Sequence, residues 1–518
     1  MRTWIAVWLV GLVCAVPATA QARQADELRT TAERSGWTEL TSHDDVVTFY
    51  RALAARSPEV RLAEIGRSIE GRPLHLVTMA RPAVSEPWEA HATGKPIVFI
   101  GAQVHGDEPA GKEALMQVAR ELALGSLREL LDDVIFLLVP QINPDGAEAG
   151  DWGSRNNVAR TNVNRDYMRL AQPESRSVIT GVVAPWRPHV LVDAHELVGP
   201  PRIYDFYTRF GVSLNGPWAP SAYARAHVVP AVVGALEAAG YTHFIYHRVP
   251  GGLADDPELG LSPGAYGARA LSNYGGAHGA ISILYESVRP RDAREELERR
   301  THKHYVAMVA LARFVAANPA DVVAAVAGGR AELVGRGLDA FAGRPDSIAV
   351  IVEETASRRE EYRFMTGGQV VEVVTPILDT ANVRLARARP AAYAIDASRA
   401  DIADHLRLHG VLVERLVDDT QLDVESYRVE SVEHAPEYEG YIPRILRTAI
   451  VSRRLQLPAG TFIVPLAQPT AAIAIHLLEP EDDNSLAEAG WFDRHEEIGA
   501  VLPVHRVVGG TGQLERYR

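Results

Sequence analysis

Apolar residues along this chain gather into short runs set between helix-patterned stretches, and that alternation predicts the architecture. Pro96-Ile97-Val98-Phe99-Ile100-Gly101-Ala102 and Val134-Ile135-Phe136-Leu137-Leu138-Val139-Pro140 have no polar face, the pattern of strands covered on both sides. His189-Val190-Leu191-Val192-Asp193 and Ile281-Ser282-Ile283-Leu284-Tyr285-Glu286 continue the series. Between the first two, Glu113 to Leu124 has helical periodicity. Upstream, Ser42-His43-Asp44-Asp45 predicts a capped helix reaching Ala55, with Ser42 accepting from first-turn amides. Ala63 to Leu74 and Leu76 to Met79 read as two strands about a glycine turn. Strands alternating with helices imply an α/β sheet.

The pattern changes in the second half. Ala293 to Ala316 predicts a long helix, and Asn318-Pro319 opens a shorter one ending at Gly328-Gly329, the expected linker. Beyond Leu333, Ser347 to Val352, Gln369 to Val374 and Ala392 to Ile395 read as strands, Ala400 to His409 as a helix, and Leu422 to Glu430 and Gly460 to Pro465 as strands again. The expected division is a first domain over 21–328 and a smaller β-rich domain over 329–518, in keeping with a chain of 518 residues that exceeds what one core usually serves.

Met1 to Ala20 has one Arg, the apolar run Trp4 to Val16 and the small residues Ala18-Thr19-Ala20, the order of a secretory signal peptide. An exported protein, periplasmic or secreted, is expected. The single cysteine, Cys14, lies inside this segment, so the mature chain has neither disulfide nor thiolate chemistry. A formal charge of -13 argues against nucleic acid as a partner. No other stretch approaches the roughly 18 to 20 apolar residues of a membrane span, and no basic run suggests a membrane surface, so no stable anchor is expected.

Against this background His105-Gly106-Asp107-Glu108 stands out, with an imidazole and a carboxylate three residues apart where a buried strand gives way to a helix. Open sheets bind ligands at that edge. His and Glu are zinc ligands, but a catalytic site needs a third. His195 emerges after the strand 189–193, and Glu286 closes the strand begun at Ile281. Gln141-Ile142-Asn143-Pro144-Asp145-Gly146 is a turn by composition, followed by Arg155 and then Asn164-Arg165-Asp166-Tyr167. His405 and His409, four apart on a predicted helix, have no nearby third ligand and read as structural.

His-x-x-Glu, Asn-Arg, a His after an apolar strand and a Glu after another, in this order, resemble the zinc metallocarboxypeptidase family. Ile65-Gly66-Arg67-Ser68, Gly71-Arg72-Pro73-Leu74 and the Asn143 to Gly146 turn extend the resemblance over roughly 39–313. The resemblance implies a mixed twisted sheet flanked by helices, carrying an exopeptidase that cuts a peptide bond beside a free carboxylate. It implies that His105, Glu108 and His195 bind Zn²⁺, that Glu286 is the catalytic carboxylate, that Asn164 and Arg165 grip the substrate's terminal carboxylate, and that Arg155 steadies the developing oxyanion. Tyr266 and Tyr274 are both candidates for the family's substrate-capping tyrosine. The pattern also departs from the family. Asn162 stands where an Asp is usual as a partner for the first zinc histidine, and Glu196 and Asp166 add acidic residues beside the motifs, predicting a channel that prefers a cationic substrate. The residues also leave two alternatives open: a deacylase acting on small acylated amino acids or cell-wall peptides, and a decayed binding protein.

Overall fold

The computed structural model describes residues 28–517 other than Pro200, Ala265, Arg291, Ala293, Arg294, Glu496 and Thr511; the expected signal peptide lies outside the described residues. Its first half is an eight-stranded mixed sheet built from β1 (Val60–Arg67), β2 (Pro73–Met79), β3 (Ile97–Ala102), β4 (Ile135–Val139), β5 (Val190–Val198), β6 (Phe206–Phe210), β7 (His243–Ile245) and β8 (Ile281–Arg289), in the spatial order β1-β2-β4-β3-β5-β8-β6-β7. The four apolar runs are its central parallel strands, β4, β3, β5 and β8. After β3 the chain places β4 on one side of it and β5 on the other, so the carboxyl ends of β3 and β5 flank the switch point at which open sheets form their crevice.

Successive side chains of a strand point to opposite faces, and the two faces of this sheet bury different partners. Val98, Ile100, Phe136, Leu138, Val192, Ile281 and Ile283 pack under the helices His43–Arg56, Ala110–Leu124 and Leu297–Ala317. The first of these helices starts as expected, with Ser42 Oγ accepting from Asp45 N at 3.2 Å. Ile97, Phe99, Ile135, Leu137, Val139 and Leu191, on the other face, share one continuous core with Tyr393, Ile395, Ile402, Leu406, Val464 and the helix Ala471–Leu478. The C-terminal section thus helps to cover the sheet's second face, together with first-half residues such as Tyr167, Val178, Val182, Leu271 and Tyr274.

That section holds two smaller β units. One pairs Ser347–Thr355 with Thr380–Ala388 and Arg358–Thr366 with Gln369–Ile377; the other is a seven-stranded sheet containing the long hairpin Thr420–His434 and Arg444–Leu457. The expected linker is corrected here. Gly328 and Gly329 lie inside the helix Pro319–Phe341, which runs on to Phe341 where a break was expected. The glycines serve close approach: a Cβ on Gly329 would meet the Pro220 ring at 2.7 Å, and one on Gly337 would meet the Leu466 and Ala467 backbone at 2.3 Å. One helix therefore clamps Pro220, in the first half of the chain, and the segment after the strand Phe462–Pro465, in the second.

Candidate metal centre and substrate cavity

The strand β3 ends at Ala102, and Gln103, at φ 49°, turns the chain out of the sheet so that His105 stands at its edge. Glu108 follows just before the helix Ala110–Leu124. On the neighbouring strand, His195 is paired in parallel register with Glu286 of β8, which puts both side chains on the face covered by the C-terminal section. The structure thereby brings together every residue predicted for the metal. His105, Glu108 and His195 are buried, with ligand atoms within 4.8 Å of one another, the one such group of three or more found among the described residues.

Each imidazole turns Nδ1 inward. His105 Nδ1 and His195 Nδ1 are 3.2 Å apart, and each lies 2.9 Å from a Glu108 carboxylate oxygen. Their outward nitrogens are engaged: His105 Nε2 with Asn162 Oδ1 at 3.0 Å, and His195 Nε2 with Asp193 Oδ1 at 2.8 Å beside the Asn164 amide. Two oriented imidazoles and one carboxylate, with outward nitrogens held by carbonyl or carboxylate oxygens, form a donor set suited to zinc with a coordination position left open. Although burial opposes its charge, His195 is raised well above the ordinary histidine value by Asp193 and Glu108. Glu108, equally buried, is held well below the usual carboxylate range by the two histidines. A divalent cation at the centre of the trio would take the place of that proton.

Glu286 is buried, and its Oε2 makes no hydrogen bond in the structure. Burial pushes it up to about 8, with Glu108 adding to the shift and His195 and Arg155 opposing it. It lines a cavity of about 270 Å³ together with His105, His195, Arg155, Asn164 and Arg165. Arg155 Nη1 donates to Glu108 Oε1 at 2.9 Å, which places it at the metal trio. Arg165 Nη1 donates to the Asn164 carbonyl at 2.6 Å, and no carboxylate pairs with it among the described residues. Asn164 is engaged at both ends of its amide: Oδ1 accepts from Leu271 N at 2.9 Å, and Nδ2 faces His195 Nε2 at 2.9 Å. In this geometry it positions His195, and the Arg165 guanidinium is the freer anion ligand of the pair.

Two expectations about the channel change. Glu196 and Asp166 do not face it. Glu196 is buried behind the site, where its carboxylate accepts from Arg300 Nη1 at 2.8 Å and from Ala110 N at 3.0 Å; Asp166 accepts from Ser175 Oγ at 2.5 Å and Gln172 N at 2.7 Å. Both charges hold loops in place, and the cavity is lined instead by Arg155, Arg165, Arg209, Arg248 and Arg269 against the carboxylates of Glu286 and Asp483. Nor does either candidate tyrosine line the cavity. Tyr266 donates to the Asp379 carbonyl at 2.8 Å, and Tyr274 is buried with its hydroxyl 2.9 Å from His409 Nδ1. His409 and His405 both face the Met168 carbonyl, at 3.2 and 2.9 Å, the structural role expected for them.

The tyrosines that do line the cavity are Tyr246, just after β7, and Tyr438. Tyr438 stands at the tip of the long hairpin, where Glu439 at φ 48° and Gly440 at φ 80° make the turn. That tip is fastened to the catalytic half: Glu439 Oε2 accepts from Asn162 N at 2.6 Å, and the Arg169 guanidinium stacks 3.7 Å over the Tyr441 ring. The hairpin thus closes one wall of the cavity, and the same Asn162 that orients His105 carries its anchor.

Residues 46–180 match the model of the zinc carboxypeptidase family. Carboxypeptidase 2 of Trichophyton tonsurans is 26% identical over 459 residues, covering 85% of this chain and 81% of that protein; Carboxypeptidase 2 of Trichophyton rubrum is 27% identical over 485 residues, covering 90% and 86%. Among solved structures, carboxypeptidase A from Helicoverpa armigera aligns with a TM-score of 0.43 at 18% identity, over 58% of this chain and 81% of that one. By its sequence the chain is similar to the zinc carboxypeptidases, matched to their model over 46–180 and to curated carboxypeptidases more distantly along most of its length.

Proposed function

We propose that the chain is a zinc-dependent exopeptidase that releases the residue at a peptide's free carboxyl end, with His105, Glu108 and His195 as the metal ligands. The observation that carries this reading is the placement of an unpartnered, buried Glu286 one strand from His195 and in register with it, inside a cavity that also holds Arg165. When bound, zinc supplies Lewis-acid polarisation of the scissile carbonyl and of water. Glu286 takes the water's proton at its free carboxylate oxygen and passes it to the departing amine. Arg165 receives the terminal carboxylate in a charge-assisted contact. Arg155 stays beside Glu108 and offers its remaining donors to the oxygen on which charge develops.

A cavity of about 270 Å³, walled by Tyr438, favours short substrates. The decayed-binder alternative has no support in these residues, since the three ligand side chains and Glu286 are all present. A peptide with an amidated carboxyl end is expected to be a poorer substrate than its free acid by about ten-fold to a hundred-fold in kcat/KM, and Arg165→Ala should remove the difference by weakening only the free acid. Equal cleavage of amide and acid by the unmodified enzyme would exclude the release of a carboxyl-terminal residue through Arg165.

We also propose that the protein is exported, on the signal-type order of residues 1–20. The mass of the amino-terminal peptide of the mature protein tests this; a chain that keeps Met1 to Ala20 in the cell would refute it.

A further inference from the structure

The cavity's arginines are not equally neutralised. Arg155 pairs with Glu108 at 2.9 Å, and Arg269 reaches Asp483 at 3.6 Å. Arg165, Arg209 and Arg248 have no carboxylate partner at ion-pair distance among the described residues. Arg165 is taken up by the exopeptidase reading, and Arg248 is exposed at the rim. Arg209 is different. It lies on β6, paired antiparallel with Leu284 of β8, while Tyr207 pairs with Glu286 two residues on. Alternation along β8 then puts Arg209, Leu284 and Glu286 on one face of the sheet, with the guanidinium one register step from the catalytic carboxylate.

What holds Arg209 in place is neutral. Its Nη1 donates to the carbonyls of Pro263 and Gly264, its Nη2 donates to Asn273 Oδ1 at 3.0 Å, and its guanidinium lies 5.5 Å from the Tyr246 ring centre. Its Nε is buried without a partner. The charged groups that act on it are Glu354 and Glu286, which favour its charge, and Arg248, which opposes it. A guanidinium fixed by carbonyls and an aromatic face, with a donor unused, carries a charge that the protein itself does not pair, and desolvated charge is costly until an anion arrives.

We propose that the cavity takes peptides whose terminal residue has an acidic side chain, and that Arg209 is the specificity residue that receives it. The inference rests on the exopeptidase reading: with Arg165 on the terminal carboxylate, a second carboxylate on the same residue meets the second unpaired guanidinium. A terminal lysine or arginine would bring its cation against Arg209 and Arg248 and be disfavoured, the reverse of what Glu196 and Asp166 suggested from the sequence.

N-acylated dipeptides that differ only in the last residue, Glu, Gln, Leu or Lys, test this with the zinc-loaded full chain. The Glu peptide is expected to exceed its isosteric Gln partner by about ten-fold or more in kcat/KM, the size of a charge-assisted contact. Arg209→Gln should abolish the preference by weakening the Glu peptide about ten-fold more than the Gln peptide, with circular dichroism and zinc content showing that the variant is folded and loaded. Gln equal to or better than Glu in the unmodified enzyme overturns the proposal. So does an equal loss on both peptides in the variant, which would make Arg209 a ligand of the terminal carboxylate. Titration calorimetry with free glutamate and free glutamine provides a second reading. If no dipeptide is hydrolysed, the exopeptidase reading fails by itself, and the calorimetry still decides the inference: glutamate binding that is tighter than glutamine binding and lost in Arg209→Gln sustains it, and equal binding overturns it.

Discussion

Glu286→Gln is expected to keep the fold and about one zinc per chain while losing turnover by about a hundred-fold to ten-thousand-fold, the contribution usual for a positioned general base. The substitution is nearly isosteric. It leaves the register of β5 and β8 untouched, and Glu286 Oε2 has no hydrogen bond to lose. The loss should fall on kcat and on kcat/KM together, because the proton is moved in the transition state and not on binding. Metal analysis and circular dichroism on the same preparation separate a chemical defect from a structural one. Unchanged turnover in a zinc-loaded Glu286→Gln protein would mean that another group carries the proton.

His195→Ala should lose most of the zinc, since a carboxylate and a single imidazole make a poor site for that ion. It should also cost stability when compared in metal-free form. His195 stands between two buried carboxylates, 2.9 Å from Glu108 Oε2 and 2.8 Å from Asp193 Oδ1, and removing it leaves both without their shared partner. Breaking a buried pair in this way typically costs about 3 to 5 kcal/mol. The measurements are zinc stoichiometry by atomic spectroscopy and the urea midpoint in chelator. Stoichiometric zinc in a folded His195→Ala protein would show that another residue is the third ligand.

The central sheet was legible because its strands are buried on both faces: β3 and β4 are apolar at every position, which leaves periodicity little to decide. The metal trio was legible for a related reason, since His105 and His195 come within three residues of the end of such a run and Glu108 follows His105 by three. The second half was harder. Arg444–Leu457 has few buried residues and is rich in arginine, so its membership of a long hairpin comes from backbone pairing with Thr420–His434, which composition does not record. Ala471–Leu478 is buried throughout, and a run of that length fits a strand as well as a helix. Pro319–Phe341 was cut short at Gly328-Gly329 because paired glycines read as a break, whereas here the missing Cβ of Gly329 lets the helix touch Pro220. The cavity wall was the least legible part. Tyr246, Tyr438 and Arg209 reach the site from three distant segments, and the one local sign was a charge, Arg209, in the largely aromatic strand Phe206–Phe210.

The covering of the sheet's second face by the C-terminal section also has a consequence in time. Phe99, Leu137, Leu191 and their neighbours on that face are synthesised long before Tyr393, Ile395, Val464 and the helix Ala471–Leu478 that bury them. At about 5 to 20 residues per second, the roughly 180 residues after Phe341 take on the order of 10 to 40 s to appear. Throughout that interval the sheet's second face has only the part of its cover that Val178, Val182, Leu271 and their first-half neighbours supply, so its core is completed last of all.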